Sequence, residues 1–310
     1  MKKNLLPVVL FACTAISVMS CASSGKTASK AKGEIMKNSV TKEGQTLNME
    51  TLGNARELGG YVNQDGKKVK RGVLLRSAKP AGASTNDLAR LNNEYHLKTI
   101  IDFRMGFERD TAPNPQIEGV NDIWCPIIDE DLISANINMP TSAAKSMNTL
   151  ERLKIAIERG FISEKMYIGF LSMDQGKKGY TEYFRQLLAL PEGNSLLFHC
   201  SQGKDRTGLG AMLILSALDV DEETIMQDYL LTNVFNAELI NKERQMLAQY
   251  NLSDSEIENY LSAMDQVNPA YMQNAIDYLK KNYGSVKGYI TKELGLTEKD
   301  FTSLKNKFLE

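Results

Sequence analysis

Histidine is nearly absent from this chain: two in 310 residues, which excludes a metal centre built on several imidazoles. Cysteine is scarce as well. Four in 310 residues are too few for a disulfide scaffold, and no C-x-x-C pair marks a zinc site. Neither sign of charge is in excess. With 37 Lys+Arg against 38 Asp+Glu the net charge is −1, and no polybasic patch stands out, so the electrostatic footprint of a nucleic-acid binder is missing. Eight Pro and 22 Gly exclude a collagen-like or low-complexity chain. What is present is ordinary globular composition, 42% hydrophobic and 24% charged, long enough for one large domain or two small ones.

The N-terminus has the features of an export signal. Lys2 and Lys3 precede Leu5–Met19, an uncharged run of 15 residues. That is the length of a signal-peptide core and short of the roughly 20 residues a membrane span needs. The run ends Val18-Met19-Ser20-Cys21, which resembles a bacterial lipobox. Residues 1–20 are therefore expected to be removed and Cys21 to carry acyl chains such as palmitate. Such chains hold a protein to a membrane by about 0.8 kcal/mol per buried CH2. This places the mature protein at the bacterial cell envelope. Residues 21–49 are rich in Ser, Lys, Gly, Thr and Asn and poor in aromatics, and read as a flexible tether.

From residue 50 onward, strand and helix signals alternate. Tyr61–Val69 reads as a hairpin turning at Asp65-Gly66, and Val73–Arg76 as a short strand. Ser84-x-x-Asp87 looks like a capping box opening a helix to about Tyr95. Leu97–Phe103 and Val120–Ile128 read as strands, with Trp124 in the core. Residues 130–178 read as a helical insertion with the potential to cover a site. Tyr180–Leu190 is a helix, Ser195–Phe198 a buried strand and Thr207–Leu218 an apolar helix. Residues 221–310 read as helical, with caps at Ser253, Asn268 and Thr297. The fold class is α/β: a central, mostly parallel sheet flanked by helices, with a helical C-terminal part.

The chemistry concentrates in one segment, Ser195-Leu-Leu-Phe-His199-Cys200-Ser201-Gln202-Gly203-Lys204-Asp205-Arg206-Thr207-Gly208. An apolar strand runs into a short loop and the loop into an apolar helix. Successive backbone N–H groups in such a loop, with the helix N-terminus, form an anion nest. Gly203 allows the turn. Arg206 can hold two phosphate oxygens bidentately. Cys200 lies at the base, where the N–H dipoles, Arg206 and Lys204 favour the thiolate. A thiolate beneath a bound phosphate is placed for in-line attack on phosphorus. Ser201 to Thr207 are accordingly the candidate phosphate-binding residues. Lys204 is either a solvated surface cation or a contact to a second phosphate. His199 is expected to brace the loop rather than act as a base, and Cys125 to be a buried strand residue.

His199–Gly208 resembles the signature loop of the cysteine-dependent phosphatases. The Lys204-Asp205 variant is similar to the bacterial tyrosine-phosphatase-like members of dual or phosphoinositide specificity. Asn54-Ala-Arg56-Glu57-Leu58-Gly59-Gly60, Arg71-Gly-Val-Leu-Leu-Arg76-Ser77 and Ile101-Asp102-Phe-Arg104 with Glu108-Arg109 resemble further blocks of that subfamily. Tyr289-Ile-x-x-Glu293-Leu-Gly-Leu, within 284–310, resembles its helical tail. The resemblance spans 50–310 and implies phosphomonoester hydrolysis without metal or organic cofactor. The substrates it implies are phosphorylated proteins or phosphoinositides; nucleic acid is not among the partners, and the oligomeric state is left open. Glu57 stands where the subfamily usually has Asp, and if that carboxylate orients Arg56 beneath the loop, the extra methylene alters the pairing. The general acid is either Asp129, in Trp124-Cys-Pro-Ile-Ile-Asp129-Glu130-Asp131, or Asp205 in the loop itself. Rival readings are sulfur or arsenate transfer on the same loop, and a catalytically silent phosphate-binding surface lipoprotein.

Overall fold

The computed structural model describes residues 38–131, 162–250 and 252–310. The export signal, Cys21, the first part of the tether and most of the 130–178 stretch lie outside the described residues. Five strands form one sheet: β1 (Arg56–Glu57), β2 (Leu74–Ser77), β3 (Leu97–Asp102), β4 (Asn121–Trp124) and β5 (Ser195–His199), in the order β1-β2-β5-β3-β4. Only the β1–β2 pair is antiparallel; β2–β5, β5–β3 and β3–β4 are parallel. Parallel neighbours need crossovers, and helices supply them. The strand β5 is central, so its side chains are buried on both faces. Leu196 and Phe198 join one hydrophobic cluster while Leu197 joins the other, the period-two alternation of a strand.

On one face lies α2 (Thr85–Asn93), with Leu47, which follows α1 (Lys42–Gln45), and Leu52 and Leu91 packed against Leu75, Leu97 and Ile100. Ser84 Oγ accepts from Asp87 N at 3.0 Å and caps α2. The Asp87 carboxylate does not close the expected box. It accepts instead from the amides of Glu50, Thr51 and Leu52 at 2.7, 2.8 and 2.9 Å, pinning the incoming chain. Residues 38–49 are thus docked rather than tethering, which corrects the sequence reading. Leu47 is buried, and Gln45 Nε2 donates to the carbonyls of Glu57 and Gly59, contacts that composition cannot reveal.

The larger cluster lies on the other face. After the short α3 (Gly106–Thr111), it gathers α4 (Met166–Ser172), α5 (Asp174–Ala189), α6 (Asp205–Ala217), α7 (Glu222–Phe235), α8 (Ala237–Leu247), α9 (Asp254–Met264), α10 (Pro269–Tyr283), α11 (Val286–Leu294) and α12 (Glu298–Phe308), with α8 and α9 forming a satellite core of their own. In α6, 11 of 13 residues are buried, so this helix has no solvent face and is the hub of the domain. Ser253, Asn268 and Thr297 cap α9, α10 and α12 as their sequence contexts predict. The C-terminus returns to the start of the domain, where Leu309 bridges Val69. Of the 130–178 stretch, α4 belongs to the main core, with Tyr167 and Leu171 fully buried.

Trp124 departs from expectation: it is 47% exposed. Because β4 is an edge strand, the indole lies over the Arg109 guanidinium at 5.8 Å, and its Nε1 donates to Arg104 O at 2.9 Å. No helix among the described residues is long and apolar enough to cross a membrane.

Candidate active site

The loop between β5 and α6 leaves the carboxyl end of the central strand, where ligands bind in open α/β sheets. Each of its carbonyls is engaged. Cys200 O accepts from His199 Nδ1 (3.1 Å), Ser201 O from Lys79 N (3.1 Å), Gln202 O from Asn54 Nδ2 (3.0 Å), Gly203 O from Asn54 Nδ2 (3.0 Å) and Arg76 (2.8 Å), and Lys204 O from Gly208 N (2.9 Å). By contrast, among the described residues no N–H from Ser201 to Arg206 donates to a protein acceptor. A loop with its carbonyls tied down and its amides unpaired, running into a helix N-terminus, is an anion site. Gly203 makes the turn at φ +68°, and a Cβ there would stand 2.3 Å from Ser77 O, so glycine alone fits.

Cys200 is 1% exposed, at the foot of this loop, and its thiol is free. Thr207 Oγ1, in the first turn of α6, is buried without a partner among the described residues. Burial lowers the pKa of His199. The neutral ring donates from Nδ1 to Cys200 O and accepts at Nε2 from Asn114 Nδ2 at 3.1 Å, so it braces the loop.

Arg206 meets Glu108 of α3 end-on: NH1 donates to Oε2 at 2.6 Å and NH2 to Oε1 at 3.0 Å. Ser201 Oγ and Met105 N donate to the same carboxylate. Burial by itself would raise the Glu108 pKa, but the Arg206 charge and these hydrogen bonds bring it down to about 2. Burial likewise opposes the Arg206 charge, and the Glu108 carboxylate reverses that and raises the guanidinium pKa. A guanidinium has a second bidentate edge, Nε with NH2, and here Nε has no partner among the described residues. Glu108 therefore holds one edge of Arg206 and leaves the other for an anion. In the sequence Glu108 has no role of its own beside Arg109; the available signal is an arginine that, once buried, needs a counter-charge.

Beneath the loop lies a second buried array. Arg56 Nε donates to Asp228 Oδ1 at 3.1 Å, Arg76 NH1 to Asp228 Oδ2 at 2.5 Å, and Tyr61 OH to Oδ1 at 3.2 Å. Two guanidinium groups on one carboxylate leave a net positive charge under the loop, and burial together with Arg76 lowers the Arg56 pKa to about 10. Asp228, on α7, is thus the residue that orients Arg56. Glu57 is not: it turns away to Arg71 NH1 (2.6 Å) and Gly72 N (2.5 Å), which corrects the pairing considered from the sequence.

The remaining candidates separate. The side chains of Ser201 and Gln202 face Glu108 and Asp265, Gln202 Nε2 donating to Asp265 Oδ1 at 2.9 Å, so these two residues offer an anion their amides. Lys204 is 5% exposed, and its Nζ donates to the carbonyls of Ala263 (2.9 Å), in the last turn of α9, and Gln266 (3.0 Å), just beyond it. It is neither a solvated cation nor free for a second phosphate. Asp205, one residue on, receives Tyr167 OH at 2.7 Å on Oδ1. Asp129 lies partly buried beyond β4, beside Glu130, whose Oε1 accepts from Phe107 N at 3.0 Å. Of the two acid candidates, Asp205 is the first residue of α6, directly after the loop, and Asp129 follows β4.

A family model described as the tyrosine phosphatase family matches residues 47–310. The chain belongs to that family. A Cupriavidus necator protein named "Putative tyrosine-protein phosphatase" is 29% identical over 267 residues, 85% of this chain and 88% of the relative. The triple specificity protein phosphatase PtpB of Mycobacterium tuberculosis is 28% identical over 123 residues, 37% of this chain and 44% of that protein. Family membership makes this chain a phosphatase, and the match begins at Leu47, the residue with which the docked N-terminal segment enters the core.

Proposed function

We propose that this phosphatase hydrolyses phosphomonoesters through a cysteinyl-phosphate intermediate at Cys200. Its substrates are phosphotyrosine proteins, with phosphoserine, phosphothreonine and phosphoinositides as further members of the class. The observation that carries the reading is the loop in which every carbonyl is engaged and the amides of Ser201–Arg206 are left for an anion, above a buried Cys200.

In the first step Cys200 Sγ attacks phosphorus, forming the P–S bond as the ester P–O bond breaks. Amides of residues 201–206 and the Nε edge of Arg206 bind the equatorial oxygens and stabilise their charge. Asp205 gives its proton to the departing oxygen. In the second step the same carboxylate takes a proton from water, which attacks phosphorus and breaks the P–S bond. Inorganic phosphate leaves and the thiolate returns, stabilised by Thr207 Oγ1. Breadth of substrate is supported by the name of the M. tuberculosis relative, which carries triple specificity. An acylated Cys21 would hold the enzyme at the cell envelope, within reach of membrane-borne substrates.

The test is phosphate release by the purified chain from phosphotyrosyl, phosphoseryl and phosphothreonyl peptides and from phosphoinositide vesicles, with Cys200→Ser in parallel. Release from at least one class, abolished in the variant, is the expected outcome. Release that persists in Cys200→Ser would refute the covalent mechanism.

A further inference from the structure

Asp205 is held by an element far from it in the chain. Tyr167, on α4, is fully buried and its hydroxyl donates to Asp205 Oδ1 at 2.7 Å. The same hydroxyl lies 2.8 Å from the hydroxyl of Tyr229 on α7, which is 1% exposed. Each phenol has one proton. The Tyr167 proton goes to Asp205, so its oxygen is left to accept from Tyr229. A competing acceptor for the Tyr229 proton, Asn268 O, is farther away at 3.4 Å. The protons therefore order as Tyr229 to Tyr167 to Asp205 Oδ1. Burial raises both phenol pKa values well above the ordinary range, so the two hydroxyls keep their protons throughout.

This ordering bears on where a carboxylic acid can carry its hydrogen. An oxygen that already accepts a short hydrogen bond is a poor place for the acid proton, so the proton resides on the other oxygen. For Asp205 that other oxygen is Oδ2, which lies 3.8 Å from Lys204 Nζ. We propose that Tyr167, backed by Tyr229, is a positioning residue for proton transfer: it occupies Asp205 Oδ1 and so keeps the transferable proton on Oδ2. In the first step Oδ2–H gives its proton to the leaving oxygen. In the second, the carboxylate takes a water proton at Oδ2, and Oδ1 stays anchored in both. Neither tyrosine touches the substrate. The proposal rests on the reading of Asp205 as the acid.

Tyr167→Phe, Tyr229→Phe, Asp205→Asn and the Tyr167→Phe/Asp205→Asn double variant test it on p-nitrophenyl phosphate and phenyl phosphate, whose leaving groups are good and poor. General acid catalysis contributes roughly 10²–10⁴-fold, and the need for it grows as the leaving group worsens. Asp205→Asn is expected to lose about 100-fold more on phenyl than on p-nitrophenyl phosphate. Tyr167→Phe is expected to lose about tenfold on phenyl phosphate and little on p-nitrophenyl phosphate, the loss of one charge-assisted hydrogen bond. Tyr229→Phe, which leaves Asp205 its own partner, should show the same selectivity at a smaller amplitude. The double variant should be no slower than Asp205→Asn. Equal losses for Tyr167→Phe on both substrates, beside a leaving-group-dependent Asp205→Asn, would overturn the positioning role alone. An Asp205→Asn variant indifferent to the leaving group would overturn the acid assignment and the positioning role with it.

Discussion

Replacing Glu108 with Gln removes a charge and almost no volume, and the structure sets the size of the consequence. The Arg206 fork, Ser201 and Met105 hold the Glu108 pKa at about 2, against an ordinary value of 4.5, despite a burial that by itself would raise it. At about 1.4 kcal/mol per pKa unit, that difference corresponds to roughly 3 kcal/mol of folding stability. The folded-state pKa is depressed, so this contribution is complete above pH 4.5 and is lost as pH falls through about 2. The Gln amide oxygen still accepts one hydrogen bond, which returns part of the loss. Glu108→Gln is therefore expected to be about 2–3 kcal/mol less stable than the parent at pH 7. Near pH 3 about half that gap should remain, and it should close near pH 2. Urea unfolding at pH 7 and pH 3, with kcat/KM at pH 7, reads both consequences. Because Glu108 occupies the NH1/NH2 edge and leaves Nε, its loss frees the guanidinium to wander, and kcat/KM should drop. A stability gap that does not change with pH would refute the electrostatic account. A rise in kcat/KM would show that Glu108 competes with the phosphate instead of aligning Arg206.

Cys200→Ser should abolish turnover and keep phosphate binding, measured by titration calorimetry, because the loop amides and Arg206 survive; a variant that no longer binds would place the affinity elsewhere. Arg206→Lys should lose at least about 100-fold in kcat/KM, since an ammonium can serve either Glu108 or the phosphate but not present two edges; near-parental kinetics would count against the clamp. Asp228→Asn leaves Arg56 and Arg76 buried without their shared counter-charge and should cost about 3–5 kcal/mol in chemical unfolding, a loss that a merely local contact would not produce. Cys21→Ala should move the protein from the membrane fraction or block its maturation, and intact mass of the parental chain should show acyl groups on Cys21; an unmodified N-terminus elsewhere would remove the anchor.

Some of this protein was legible because the signals are local. The β5–loop–α6 unit is written within 23 consecutive residues, from Ser195 to Ala217, as an apolar run, a glycine that must take positive φ and a second apolar run. The caps at Ser84, Ser253, Asn268 and Thr297 are similarly local, because a side-chain oxygen reaches an amide two or three residues on. Period and capping act over one turn of chain and survive any tertiary arrangement. The pairings of the buried charges do not. Arg206 finds Glu108 across 98 residues, Arg56 finds Asp228 across 172, and Tyr167 finds Asp205 across 38. The sequence shows that a buried guanidinium requires a carboxylate, but nothing within a few residues says which of 38 acidic side chains the fold will bring to it. Glu57, adjacent to Arg56, was the local candidate, and the sheet turned it outward to Arg71. Lys204 reads as a surface cation or a contact to a second phosphate until the end of α9 and the turn after it close over it, and Trp124 reads as core until β4 proves to be the edge. The loop and the cysteine at its foot were therefore properties of the sequence, while the alignment of the arginine, the charge beneath the loop and the seat of Asp205 were decided by which distant helices the packing placed against it.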